Sequence, residues 1–349
     1  MKETILSVKD LKIYYPIKMK VKGKLLSQKN CVKAVNGITF DVYKGETLGI
    51  VGESGCGKST SGRSIVRLER PTSGQILYKG EDIWKYNKEQ LFCYRRKAQM
   101  IFQDAYSTLD PRFTIGRSIC EPLLIHKTGT REANESRARQ LMKDVGLPDT
   151  YFDRFPHEFS GGQRQRIGVA RALALDPEIL ICDEPVSALD VSVQAQVLNL
   201  MKDLQEKFDL TYIFISHNLS VVKHFCDRIG VIYLGNLVEL ADKRELFRNM
   251  MHPYTKALIS AIPVPDPTFE RKKQILEGDV PTPVNPPEGC PFRTRCPYAT
   301  GLCKDKKPAL EDVGNGHFVA CHLYGGGREE MRKQLEIRGL TPPEAESFV

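Results

Sequence analysis

Residues 4–15 and 31–51 alternate apolar and polar positions in short runs, with turn signals at Asn36-Gly37 and Lys44-Gly45, and are predicted as strands. The second stretch ends in the apolar run Thr47-Leu-Gly-Ile-Val51, which leads straight into a glycine-rich turn. From about 85 to 175 the pattern becomes helical and charged, as in Ser136-Arg-Ala-Arg-Gln-Leu-Met-Lys-Asp144. Two short, nearly all-apolar runs follow, Ile179–Cys182 and Tyr212–Ser216. Between them Val193, Val197, Leu200, Leu204 and Phe208 recur at the spacing of one helix face. Strand, helix and strand with both strands apolar throughout predict a parallel sheet covered by helices. Ile229 to Leu240 reads as a hairpin turning at Gly235-Asn236. After Ala261 the composition shifts. Residues 263–287 are proline-rich and read as an extended connector, and Gly325-Gly-Gly327 leads into a charged tail that is expected to be partly disordered.

Composition changes this picture little. The chain is 41% hydrophobic and 27% charged, ordinary globular material that excludes a fibrous or largely disordered protein. No uncharged apolar run approaches the roughly 20 residues needed to cross a bilayer. Met1–Asp10 has no apolar stretch of signal-peptide length, so the expected location is the cytosol. A net charge of +8 suits a nucleic acid or an anionic membrane surface but demands neither. Lys18, Lys20, Lys22, Lys24 and Lys29 form a basic stretch without an acidic residue, read as a solvated loop or as a surface facing lipid or a partner.

Three segments carry chemistry. Gly52-Glu-Ser54-Gly55-Cys56-Gly57-Lys58-Ser59-Thr60 fits G-x-x-x-x-G-K-[ST]. Its glycines let backbone N–H groups wrap phosphates at the start of a helix, Lys58 would reach the β- and γ-phosphates, and Ser59 would ligate Mg²⁺. Asp183 and Glu184 end the apolar run at 179–182. Two adjacent carboxylates repel unless a cation is shared, so Asp183 is expected on the Mg²⁺ shell and Glu184 as a general base toward water. Ser160-Gly161-Gly162-Gln163 precedes a predicted helix reaching about Leu175, a second helix start open to an anion.

With that last segment the chain resembles the ATP-binding cassette (ABC) ATPases, whose signature sequence it matches. The resemblance covers roughly residues 3–262. It implies a P-loop core with an N-terminal antiparallel β layer and a helical subdomain at about 90–172. It also implies that two subunits pair head to tail, each ATP lying between one subunit's phosphate loop and the signature of the other. By the same resemblance Gln103 is the Q-loop glutamine on the Mg²⁺ and water shell, beside the membrane subunits. Asp190, in Ser187-Ala-Leu-Asp190, belongs to the D-loop at the dimer interface, and His217 is the switch histidine toward the γ-phosphate. Tyr15 is the aromatic stacked on adenine, with Tyr14 the alternative. The insert at 16–30, the run Ile115–Pro122 and His252–Leu258 resemble the oligopeptide/dipeptide importer ATPases, and within them the F-type subunit.

The function this implies is ATP hydrolysis driving peptide import, at the cytoplasmic face of the membrane. The implied partners are a sister ATPase in a heterodimer, two permease subunits and a substrate-binding protein, with no nucleic acid. A nickel or other small-solute importer of the same family and a soluble, non-transport ABC ATPase are the alternatives. The implied division is a nucleotide-binding domain at 1–262, a connector and cysteine-bearing extension at 263–325, and the tail at 326–349.

Cys290, Cys296, Cys303 and Cys321 are spaced C-x₅-C-x₆-C-x₁₇-C, apart from the six scattered earlier cysteines. Four thiolates can hold structural zinc or an iron–sulfur cluster. The close C-x₂₋₄-C pair usual for zinc is missing, and His317 and His322 are nearby as substitute ligands. The family resemblance implies a [4Fe–4S] centre, with zinc as the alternative. The segment has little apolar material of its own, so a cross-link is expected to be what folds it.

Overall fold

Five-residue Ile179–Asp183 and six-residue Thr211–Ser216 are buried along their whole length, as the unbroken apolar patterns require, and the main sheet is built around them. The computed structural model describes residues 2–17, 19–21, 24–26, 31–262, 276, 278–284 and 286–341. In chain order the strands begin with β1 Thr4–Pro16, β2 Met19–Val21, β3 Lys24–Leu26, β4 Cys31–Tyr43, β5 Thr47–Val51, β6 Ser73–Tyr78 and β7 Glu81–Asp82. They continue with β8 Ala98–Ile101, β9 Ile179–Asp183, β10 Thr211–Ser216, β11 Arg228–Tyr233, β12 Asn236–Asp242, β13 Glu311–Asp312 and β14 Phe318–Val319.

The larger sheet has the order β13-β14-β12-β11-β5-β10-β9-β8. Strands β11, β5, β10, β9 and β8 are parallel, and β12 and β14 add antiparallel pairings at one side. A second, antiparallel sheet of order β4-β1-β6-β7 forms the N-terminal layer. Its apolar face, including Leu6, Val8, Ile38 and Ile76, packs against Ile50, Ile181, Ile213 and Ile215 of the large sheet. The opposite face of the large sheet is covered by helices, among them Ile115–Ile125, Arg131–Asp144 and Gly161–Leu173, which pack on one another.

Some elements differ from the pattern's expectation. Helix Val191–Phe208 buries Val197, Met201 and Leu204 fully, whereas Val193, Leu200 and Phe208 lie at the edge of the contact. The hairpin turns one residue earlier than expected. Leu234 and Gly235 both have left-handed backbones (φ 44° and 73°), and Asn236 opens β12 with its amide donating to Leu234 O at 2.6 Å. Half of the basic run at 18–29, including Lys18, Lys22 and Lys29, lies outside the described residues, and β2 and β3 pair within the rest. So does most of the proline-rich connector, whose described part returns to the body through Lys33 N–H donating to Pro283 O at 3.0 Å. Among the described residues no helix is long and apolar enough to cross a membrane.

The cysteine-bearing segment shares the main core. Phe292 is 1% exposed and packs edge-on to Tyr233 of β11, with centroids 5.2 Å apart. Cys290, Cys303 and Leu323 join the same apolar cluster. The segment's poverty in apolar residues is met by borrowing surface from the ATPase body. The charged tail is also ordered in part: helix Arg328–Ile337 inserts Met331 and Leu335, both buried, into that cluster.

A polar tie secures β14. His317 Nε2 lies 2.8 Å from Glu239 Oε1 of β12, and its Nδ1 faces Glu245 Oε1 at 3.6 Å. Glu239 is fully buried and also accepts the N–H groups of Met251 and His252 at 2.9 and 3.0 Å. Burial lowers the proton affinity of His317, but hydrogen bonding and charge from Glu239 and Glu245 outweigh it and raise the pKa. A raised folded-state pKa means the tie contributes fully below the ordinary histidine value of about 6.5 and loses that contribution as pH rises through the raised value. Thermal melting of the wild type should therefore fall with pH across that window relative to His317→Gln. Parallel profiles for the two proteins would contradict this.

Candidate active site

The parallel strands place three loops along one sheet edge. Ser216 pairs with Val51 and Ile215 with Asp183, so the chain leaves β5, β9 and β10 at the same level. This is where α/β sheets carry their ligands. The loop Gly52–Gly57 leaves β5 and enters helix Lys58–Ile65, whose N-terminal Gly57 supplies no side-chain cap. The first N–H groups of that helix are therefore left for an anion. Glycine is needed at two points. At Gly52 a Cβ would lie 2.2 Å from Ile232 O, and at Gly57 (φ 99°) 2.0 Å from Ala34 O. Ser54 and Gly55 are exposed, and Thr60 lies in the first turn of the helix.

Lys58 is 4% exposed and donates from Nζ to Gly52 O at 2.8 Å and Glu53 O at 3.0 Å, folding back over its own loop. The Cys56 thiol is buried beside it, and burial raises its pKa. Ser59 Oγ donates to Asp183 Oδ1 at 2.6 Å, so the two expected Mg²⁺ residues touch. Burial pushes the Asp183 carboxyl upward, opposed by the Ser59 hydrogen bond. Two hard oxygen donors beside an open helix N-terminus fit a magnesium–nucleotide pair.

Glu184 follows Asp183 with a left-handed backbone (φ 47°), uncommon for a non-glycine residue, and its N–H donates to Ile215 O at 2.9 Å. Its Oε2 accepts from Gln103 Nε2 at 3.1 Å and lies 3.0 Å from His217 Nδ1. Three residues drawn from segments far apart in the chain thus meet on one carboxylate. They line a cavity of about 520 Å³ together with Gly161, Arg164 and Leu189. Tyr15, partly exposed, is near Thr60, and burial and Glu69 raise its pKa. Tyr14 instead donates its hydroxyl to Asn36 Oδ1 at 2.6 Å.

Ser160 caps helix Gly161–Leu173 in a reciprocal pair: its Oγ accepts Gln163 N–H at 3.4 Å, and its own N–H donates to Gln163 Oε1 at 3.0 Å. Gly162 is buried against Val193, where a Cβ would come within 2.4 Å of Cγ1. Asp190 caps helix Val191–Phe208, accepting Val193 N–H at 2.9 Å and the Ser192 hydroxyl at 2.7 Å; these hydrogen bonds hold its pKa down.

Comparison with known proteins decides the family. Residues 35–187 match the ABC transporter family, and residues 238–303 match the oligopeptide/dipeptide transporter C-terminal region. The oligopeptide transport ATP-binding protein AppF of Bacillus subtilis (strain 168) is 53% identical over 92% of this chain and 98% of its own length. The chain belongs to the ABC transporter ATPases. The oligopeptide transport ATP-binding protein OppF of Haemophilus influenzae is 50% identical over 92% of this chain and 97% of its own. Among solved structures, a dimeric ATP-binding cassette in a post-hydrolysis state with ADP and Pi is similar at a TM-score of 0.60 and 27% identity. It covers 68% of this chain and 99% of that one.

The four C-terminal cysteines depart from expectation. None of the ten cysteines of this ABC ATPase is in a disulfide. Burial pushes Cys290 up to about 11, Cys296 up to about 12 and Cys321 well above the usual thiol range. The members of the set reinforce one another, since Cys321 feels Cys296, Cys290 and Cys303. The four are thus neighbours, yet among the described residues no group of three or more His, Cys, Asp or Glu side chains is placed to hold a metal ion. Neutral buried thiols have no attraction that would draw their sulfurs onto one point. The substitute ligands are committed elsewhere, His317 to Glu239 and His322 Nε2 to Lys306 O at 2.9 Å. The [4Fe–4S] centre expected from the sequence, and equally its zinc alternative, therefore finds no preformed ligand set among the described residues.

Sequence reasoning missed Glu53, Tyr254 and Arg295. Glu53 occupies a variable position of the loop motif, and its partners lie about 200 residues or more away. Gly57→Ala is expected to destabilise the protein by about 1–3 kcal/mol through its positive φ and to abolish nucleotide binding, measured by denaturant unfolding and ATP titration.

Proposed function

We propose that this chain is the ATP-hydrolysing subunit of a peptide importer, seated at the cytoplasmic face of the membrane. Its partners in this reading are a sister ATPase, two permease subunits and, outside the membrane, a substrate-binding protein. The observation that carries the catalytic part is the convergence of Gln103 and His217 on Glu184 at the edge that also holds Ser59 and Asp183. The peptide class rests on the C-terminal region match and on the names of AppF and OppF.

Each residue then has a task. The loop N–H groups and Lys58 bind phosphates, and Tyr15 stacks on adenine. Ser59 and Asp183 hold Mg²⁺ with Gln103 near its water shell; when bound, the metal neutralises charge developing on the phosphates. Glu184 takes the proton of the attacking water, oriented by Gln103. His217, 56% exposed, can leave Glu184 for a terminal phosphate. Ser160, Gly161, Gly162 and Gln163 present an open helix end to the nucleotide held by the sister subunit, and Asp190 lies at that junction.

Glu184→Gln keeps size and hydrogen bonding but removes the base. In the assembled transporter it should bind ATP normally and lose about 10²–10⁴-fold in turnover. Wild-type turnover in that variant would reject the assignment. Uptake of labelled peptide by the reconstituted assembly tests the cargo; uptake of nickel without peptide would replace this reading with the nickel-importer one.

Cys290, Cys296, Cys303 and Cys321 hold a [4Fe–4S] cluster in the same reading. Four neighbouring thiols, two buried and two half-buried, support it, because iron would stabilise as thiolates Cys290, Cys296 and Cys321, whose ionisation burial alone disfavours. Anaerobically purified protein should contain about four iron and four sulfide per chain. Stoichiometric zinc without sulfide, or no metal, would refute the cluster.

A further inference from the structure

The phosphate loop is held from the far end of the chain. Every polar group of Glu53 is engaged. Its N–H donates to the Tyr254 phenol oxygen at 3.0 Å, its C=O accepts Lys58 Nζ at 3.0 Å, and both carboxylate oxygens accept from Arg295 Nη1 at 3.2 Å. Arg295 sits beside Cys296 in the C-terminal segment, and its side chain is only 10% exposed; that of Glu53 is 28% exposed. The base on which Arg295 and Tyr254 stand is rigid. Tyr254, Tyr233 and Phe292 pack ring to ring, with centroids 4.7–5.6 Å apart, and all three are buried.

From this geometry we propose that Arg295 is a positioning residue for ATP binding: by gripping Glu53 it fixes the first peptide of the phosphate loop, and with it the perch of Lys58. Two physical effects act together. Fixing the loop in advance removes ordering that the nucleotide would otherwise have to impose. The guanidinium, charged at every accessible pH, also neutralises a carboxylate standing in the loop that must receive polyphosphate. A partly buried pair responds strongly to loss of one member, since the survivor is left uncompensated. Coupling of this kind is reciprocal, so nucleotide in the loop must in turn steady the segment around Arg295. The inference rests on the chain being an ABC ATPase and is independent of the solute carried.

The test is equilibrium binding of a fluorescent, non-hydrolysable ATP analogue to the full chain, with steady-state ATPase measurements in the assembled transporter. Arg295→Met should weaken analogue binding about 10-fold and raise KM, while kcat at saturating ATP changes less than about twofold. Arg295→Lys, which keeps the charge, should recover most of the affinity. Glu53→Ala with Arg295→Met should bind no more weakly than the weaker single variant, as two ends of one contact require. Analogue binding should slow hydrogen exchange at residues 290–303 in the wild type and fail to do so in the double variant. An affinity for Arg295→Met within twofold of wild type, or single effects that multiply in the double variant, would overturn the proposal. If Arg295→Met does not fold, Arg295→Gln, which keeps a polar side chain without the charge, must show the loss of affinity; unchanged affinity there overturns it equally.

Discussion

Everything at the nucleotide site depends on the register of three adjacent parallel strands. With Val51 opposite Ser216 and Asp183 opposite Ile215, the residues that follow are delivered to one line by backbone hydrogen bonds rather than by loop flexibility. Ser59 reaches Asp183, and Glu184 reaches His217, across spacings that β-sheet geometry fixes at about 4.8 Å per strand. Because all three strands are buried on both faces, a slip of one residue would carry every side chain to the opposite face and break its packing against the N-terminal layer or the helices. The geometry of this cluster is thereby tied to the stability of the core.

Legibility in the sequence followed how local each signal was. The loop at 52–60 and the helix start at 160–163 were readable because each is a short motif of particular residues at particular spacings. The two central strands were readable because unbroken apolar runs admit few alternatives. Strand β8 was not, since it continues directly from helix Lys88–Lys97 with no turn residue between them. The Glu184 cluster could be assembled only through the family resemblance, since Gln103 and His217 are ordinary residues until the fold brings them together. Glu53 and Arg295 lay beyond reach altogether, because a salt bridge between distant segments leaves no periodicity.

The cysteine segment shows a different limit. Composition alone suggested a piece that could not fold without a cross-link. The structure shows Phe292, Leu323, Met331 and Leu335 drawing on the core of the ATPase body. A count of apolar residues in a segment says nothing about the surface it can borrow, and here the lender is the β11–β12 hairpin with helix Pro253–Ser260.

The short strand β14 has a consequence for solubility. It covers part of the outer edge of β12, pairing with Glu239 and Leu240. Without that pairing, β12 would leave unpaired amides and carbonyls at Glu239 and Leu240, the kind of open edge on which strands associate. Phe318 and Val319, two residues of strand beside the His317–Glu239 contact, therefore act as a hem on the sheet, satisfying backbone groups that β12 would otherwise leave open at that point.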